Sequence, residues 1–322
     1  MKYMSKYGIR LVLIIVGVAV LVVPAAAAET WRLEKSGELK AVSDSNDGGY
    51  MQAVTHIKQL INDGKVSKAK KAAAKLKKDF PNIAKPDFDA FMKGEIFFAQ
   101  DKFTKAVKSY DKFLDKFPQS EFCDAALDRE FAIATAFLNG RKITAMGIFK
   151  FSGFETGQKV MEKISDRAGD APIAKKAALT VVEKLEQRNE FNEACDKWSQ
   201  ISSRWPTGQI GKDALLGMGR CKHAVYKGPK YNATSLVSAK SYYESFLQRY
   251  PEDANQLGIG KKVEQINGQL AYKQFNIGSY YQRTGSADAA HLYYSMVLTD
   301  WPESTAAKMA KEQMTQTSET EE

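Results

Sequence analysis

The stretch GEIFFAQDKFTKAVKSYDKFLDKFP, residues 94–118, decides the fold. It opens with two turns of aromatics at helical spacing, passes an Asp-Lys turn, and runs as a second amphipathic segment into Phe117-Pro118. The same phrase recurs along the chain. Twelve residues before Pro81, Pro118, Pro206, Pro251 and Pro302 stand Ala69, Ala106, Ala194, Ala239 and Ala290. Eight residues before them stand Ala73, Tyr110, Trp198, Tyr243 and Tyr294. Directly before them stand Phe80, Phe117, Trp205, Tyr250 and Trp301. Five coincident triplets define an internal repeat. Its chemistry is that of a helical hairpin: small residues where two helices cross, rings around the crossing, and a proline that halts the second helix.

From Ala106, steps of 12 and 9 further back reach Gly94 and Phe97; from Ala290 they reach Gly278 and Tyr281. This ladder resembles the tetratricopeptide repeat, a 34-residue helix–turn–helix unit. The resemblance implies an all-α, right-handed superhelical solenoid of about six hairpins over residues 50–314, about 70% helical. The proline spacing is irregular: 37 residues from Pro81 to Pro118, 45 from Pro206 to Pro251, and 51 from Pro251 to Pro302. The segment KGPKYNATSL (227–236) reads as a lengthened loop in the fifth hairpin. A third, degenerate hairpin is expected with helices around Asp124–Asn139 and Glu155–Arg167, joined by a loop carrying Gly140, Gly147 and Gly153. No strand-like alternation is expected. Residues 304–313 read as a capping helix, residues 29–49 as a flexible arm, and the acidic tail 315–322 as disordered.

The first 28 residues have the layout of a secretory signal cleaved after Ala28, with an uncleaved anchor helix as the alternative. Lys2, Lys6 and Arg10 precede the apolar run Leu11–Val23, which Pro24 and Ala25–Ala28 follow. The whole chain has 322 residues and a net charge of +9. Without those three cations it carries 44 basic and 38 acidic residues, a mild excess of +6 that does not call for nucleic acid. Cys123, Cys195 and Cys221 are too few for a disulfide framework, but Cys195 and Cys221 can pair if their helices are neighbours.

The run AKSYYESFLQRYP (239–251), the prolonged Gly-Pro-Lys-Tyr-Asn loop before it, the irregular hairpins and the signal layout together resemble one repeat family. It is the tetratricopeptide subunit of the bacterial β-barrel assembly machine, the BamD (YfiO) lipoprotein family. The likeness covers about residues 50–315. It implies a non-enzymatic scaffold at the periplasmic face of the outer membrane. The implied partners are the barrel-forming assembly subunit and outer-membrane-protein peptides. Neither nucleic acid nor a cofactor is implied, and membrane contact would run only through partners. One departure is plain: the family carries a cysteine directly after the signal, whereas this junction reads AAAAETW. The chain is therefore expected to be soluble in the periplasm or held by partners. A periplasmic adaptor that coordinates Tol–Pal with wall synthesis stays open as a second role.

No catalytic constellation stands out. Cys221-Lys-His223 has no second pair at metal-ligand spacing, and no nucleophile elbow, phosphate loop or dinucleotide motif occurs. Asn232-Ala-Thr234 fits a glycosylation acceptor, but the loop reading prevails. A hairpin array instead offers a surface built from its first helices, suited to extended peptides. In the second unit, counted from Asp87, the resemblance places Phe88, Phe91, Glu95, Phe98 and Ala99 on that ridge. The first unit offers Met51, Val54, Lys58 and Ile61, and the sixth Tyr272 and Phe275. Phe88, Phe91, Glu95 and Phe98, rimmed by Lys58 and Lys93, are the expected pocket for an aromatic peptide end. The alternative has the same phenylalanines packing against the 29–49 arm or the neighbouring unit.

Overall fold

The computed structural model describes residues 31–33, 39–41, 45–81, 86–145 and 149–320. The signal-like segment 1–28 lies outside them. Two compact parts are present. One holds the described residues up to 60 together with 67–81, and the other holds 61–66 and everything described from 86 onward.

The first part contains β1 (Trp31–Leu33) paired antiparallel with β2 (Leu39–Ala41), then α1 (Ser45–Asn62) and α2 (Val66–Asp79). The expected arm is thus a short strand pair followed by the start of α1, where its described residues lie. Tyr50 meets Phe80 edge to face at 5.9 Å. Val54, Ile57, Ala69 and Leu76 are buried beside them.

The second part runs as successive hairpins. These are α3 (Pro86–Ala99) with α4 (Phe103–Lys116), α5 (Cys123–Leu138) with α6 (Phe154–Ala168), and α7 (Pro172–Gln187) with α8 (Phe191–Arg204). Then come α9 (Gly208–Val225) with α10 (Thr234–Arg249), the short α11 (Pro251–Gln256), α12 (Ile259–Arg283) with α13 (Ala287–Asp300), and α14 (Thr305–Thr320). Each helix packs on the next in sequence, the arrangement of a solenoid.

Three of the hairpins are locked as the repeat requires. The five repeat alanines are buried, four of them fully. A Cβ added at Gly94 would sit 2.3 Å from the Tyr110 ring, at Gly219 2.7 Å from Tyr243, and at Gly278 2.8 Å from Tyr294. The aromatic of the second helix therefore lies where the glycine of the first leaves room. Gly94→Ala is expected to cost about 1–3 kcal/mol, because Tyr110 is fully buried and cannot retreat. A urea midpoint unchanged from the parent would refute that close packing.

The stops are as regular as the crossings. Phe117, Trp205, Tyr250 and Trp301 have φ of −131°, −130°, −138° and −140°, with ψ between 58° and 74°. Clash with the following proline ring drives each of them out of the helical region. Each still donates its N–H to the carbonyl four residues back, so the last turn closes before the chain turns away.

Four features differ from the sequence expectation. The third hairpin's connection contains β3 (Lys142–Ala145) and β4 (Phe149–Ser152), paired antiparallel with Ile143 opposite Phe151. The 51-residue spacing arises from α11 and a 25-residue α12, joined by Gly258 in the left-handed conformation (φ 64°). The final helix continues to Thr320, so most of the expected disordered tail is helical; residues 321–322 lie outside the description. The lengthened loop of the fifth hairpin is shorter than expected, because α10 already begins at Thr234. Lys273 ties that loop to α12 by donating to the carbonyls of Pro229 and Tyr231. Alanines 306, 307 and 310 of α14 pack with Phe275 and Tyr294 to close the array.

Candidate interaction surface

The residues expected to form an open ridge divide into two groups. Phe88 and Phe91 are each 1% exposed. Phe122, entering α5, takes the space in front of them. Its ring stacks on Phe91 at 5.1 Å and tilts against Phe88 at 5.7 Å. Phe91 also touches Tyr110 and Phe113. These two phenylalanines are core of the α3–α4–α5 junction, a correction to their expected place on an open face. The reason lies in the turn before α5. Ser120 donates to Asp87 at 2.7 Å, which holds residues 120–122 against the start of α3.

Glu95 is likewise 1% exposed and forms the centre of a polar lock. It accepts from the Tyr110 hydroxyl at 2.5 Å and from the guanidinium fork of Arg129, Nε at 2.9 Å and Nη2 at 3.0 Å. Burial, reinforced by the Glu95 charge, pushes the Tyr110 hydroxyl far above the usual phenol range. Burial alone would lower Arg129, but the hydrogen bond and charge of Glu95 outweigh it and raise the guanidinium further.

Phe98 is only half-buried, and with it the surface begins. The Arg129 guanidinium covers its ring at 4.6 Å, Phe103 stacks on it at 5.5 Å, and Arg141 covers Phe103 at 4.1 Å. Asp101 pairs with Arg141 at 3.2 Å. The result is a layered column, guanidinium–ring–ring–guanidinium, drawn from α3, the start of α4, α5 and the turn after α5. Both faces of each ring are covered, so a further ring can stack only on an outer guanidinium plane. Lys93 is exposed on α3, while Lys58 lies half-buried on α1, in the other compact part.

Arg129, Phe103 and Arg141 were not visible as site residues in a single repeat. A signal was nonetheless present. Glu95 and Arg129 are 34 residues apart, and so are Glu186 and Arg220, which pair at 3.1 Å. Glu186 also accepts from Trp198 Nε1 at 2.7 Å, and Arg220 lies over that ring at 5.8 Å. The 34-residue period thus carries an acid–arginine tie between the first helices of consecutive hairpins, with an aromatic tip on the same carboxylate.

His223 Nε2 lies 2.8 Å from Gln269 Oε1, and no group of three metal-ligating side chains occurs among the described residues. Asn232 Oδ1 accepts from the Thr234 amide at 2.6 Å and so opens α10 as a local turn. No helix among the described residues is long and apolar enough to cross a membrane.

Helix hairpins locked by small–aromatic crossings and stopped at aromatic–proline steps define a tetratricopeptide-type repeat protein. The tetratricopeptide-repeat profile matches residues 90–120, which include the stretch quoted at the outset. Residues 223–320, which run from the end of α9 through α14, match the family described as "Outer membrane lipoprotein" (YfiO). The chain is therefore a repeat protein whose C-terminal hairpins resemble that family. No curated protein matches the chain.

Solved structures of similar fold include the C-terminal part of a tetratricopeptide-repeat protein from Cytophaga hutchinsonii. It is 16% identical, covers 82% of this chain and 95% of that one, and has a TM-score of 0.35. A tetratricopeptide-repeat protein from Parabacteroides merdae is 9% identical, covering 83% and 99% with a TM-score of 0.32. The type IV pilus biogenesis factor PilW is 14% identical, covering 81% and 97% with a TM-score of 0.29. Scores this low carry no information about function.

Proposed function

We propose that the protein is a periplasmic scaffold in outer-membrane β-barrel protein assembly, receiving partner segments along its first-helix surfaces. The YfiO-family match over residues 223–320 is the observation that carries this reading. Array proteins of this kind bind through surface, not through reacting groups. The docking element for an aromatic peptide end is the half-exposed column of Phe98 and Arg129, in place of the buried Phe88 and Phe91. Lys93 supplies charge on the same helix.

Affinity for a fluorescent C-terminal peptide of an outer-membrane protein, read by anisotropy, tests the surface. Phe98→Ala is expected to weaken binding about 10-fold, the loss of one aromatic anchor. Unchanged affinity removes the column from the reading. Envelope crosslinking followed by mass spectrometry tests the role. Recovery of the barrel-forming assembly subunit supports it; recovery of Tol–Pal or wall enzymes instead overturns it.

A further inference from the structure

Cys195 on α8 and Cys221 on α9 are both buried free thiols. Their meeting follows from the helix crossing. A Cβ on Gly217 would lie 2.3 Å from the Trp198 ring, which fixes the antiparallel register of α8 on α9. One turn back along α8 from Trp198 is Cys195, and one turn on along α9 from Gly217 is Cys221. Both steps run in the same direction along the antiparallel pair, so the crossing places the two thiols side by side. Glu186 of α7 completes the group by accepting from Cys221 Sγ at 3.4 Å, with Trp198 and Arg220 on the same carboxylate. Three helices from two consecutive hairpins therefore converge on one dithiol.

We propose that Cys195 and Cys221 are a redox site that closes to a disulfide by exchange with a small-molecule or protein disulfide, clamping the fourth hairpin to the fifth. The surroundings assign the order of attack. The neighbouring Cys221 holds Cys195 below the usual thiol range. The pairing with Cys195, then burial, pushes Cys221 up. Cys195, as thiolate, attacks one sulfur of the incoming disulfide. That S–S bond breaks, a mixed disulfide forms at Cys195, and the first leaving group departs as a thiolate. Cys221 then attacks the Cys195 sulfur and expels the second. Two electrons pass from the protein thiols to the oxidant, and the two thiol protons end on the two departing thiolates. Cys123 takes no part: it lies on α5, and its thiol donates to the Phe117 carbonyl at 3.2 Å.

The full chain, reduced and then incubated with glutathione disulfide, tests the site. After unfolding without reductant and alkylation with iodoacetamide, one carbamidomethyl group is expected, on Cys123, and peptide mapping should join the 195 and 221 peptides. The reduced chain takes three. Cys221→Ser should stop at a glutathione adduct on Cys195. Three alkylated cysteines after oxidation, or a crosslink that involves Cys123, would overturn the proposal. The oxidised chain is expected to melt about 5–10 °C above the reduced one. Equal melting temperatures would overturn the clamp.

Discussion

Glu95→Ala is expected to lower stability by about 3–4 kcal/mol, read as a fall in the urea midpoint by circular dichroism. The carboxylate is 1% exposed and has two obligate donors. Without it, the fully buried Tyr110 hydroxyl loses its acceptor. That costs about 1–3 kcal/mol by itself. Arg129 loses its counter-charge as well, but its side chain is 26% exposed and regains some water. This rehydration keeps the total at the low end of the about 3–5 kcal/mol typical for halving a buried pair. Glu95→Gln keeps an acceptor for Tyr110 while removing the charge, so it should fall between alanine and the parent. A loss below about 1 kcal/mol for alanine would place the tie among ordinary surface pairs and remove its role in joining α3 to α5.

The second large effect is on pH dependence and centres on Glu130 of α5. It is 1% exposed, neither of its carboxylate oxygens has a hydrogen-bond partner, and Arg167 Nη1 is 3.9 Å away. That guanidinium is already engaged by Asp111 at 2.8 Å and Asp115 at 2.6 Å, with Lys163 also on Asp111. Burial, then the charge of Asp111, pushes the Glu130 carboxyl up from 4.5 to about 8, against the pull of Arg167 and Lys163. The folded chain therefore keeps a proton that the unfolded chain gives up. Its contribution to stability is complete below about pH 4.5, declines as pH rises, and is lost once pH passes about 8. Glu130→Gln cannot ionise. It should match the parent at pH 4.5 and exceed it by about 3–5 kcal/mol at pH 9. A gap between parent and variant that does not widen with pH would mean that Glu130 is ionised throughout and held by Arg167.

The repeat itself was legible because its constraints are steric and strict. Only glycine fits against Tyr110, Tyr243 or Tyr294, only a small residue fits at the buried alanine positions, and proline produces the shared stop, so these residues recur at countable intervals. The face assigned to Phe88 and Phe91 was not legible. It depends on Phe122, which arrives from the next hairpin through the Ser120–Asp87 hydrogen bond. That turn is set by contacts across the junction, not by the period of either helix. Phe98 sits two turns beyond Phe91 and is half-buried. The strand pair at 142–152 did carry a signal. Ile143 and Ala145, and then Phe149 and Phe151, alternate with polar residues, but in runs of only four flanked by glycines, too short to separate from a loop. The length of α12 also escaped notice, since Gly260 and Gly268, each with open space around it, look like breaks in the sequence yet lie within the helix.

The four aromatic–proline stops share nearly one pair of backbone angles. They behave as a standard coupling: whatever hairpin precedes the joint, the chain leaves it with the same local heading. Hairpins joined this way are interchangeable as far as the joint is concerned, so duplication or exchange of a whole unit leaves each joint's geometry intact. Order along the array must then be written elsewhere, in the carboxylate–guanidinium partners that reach from one unit to the next.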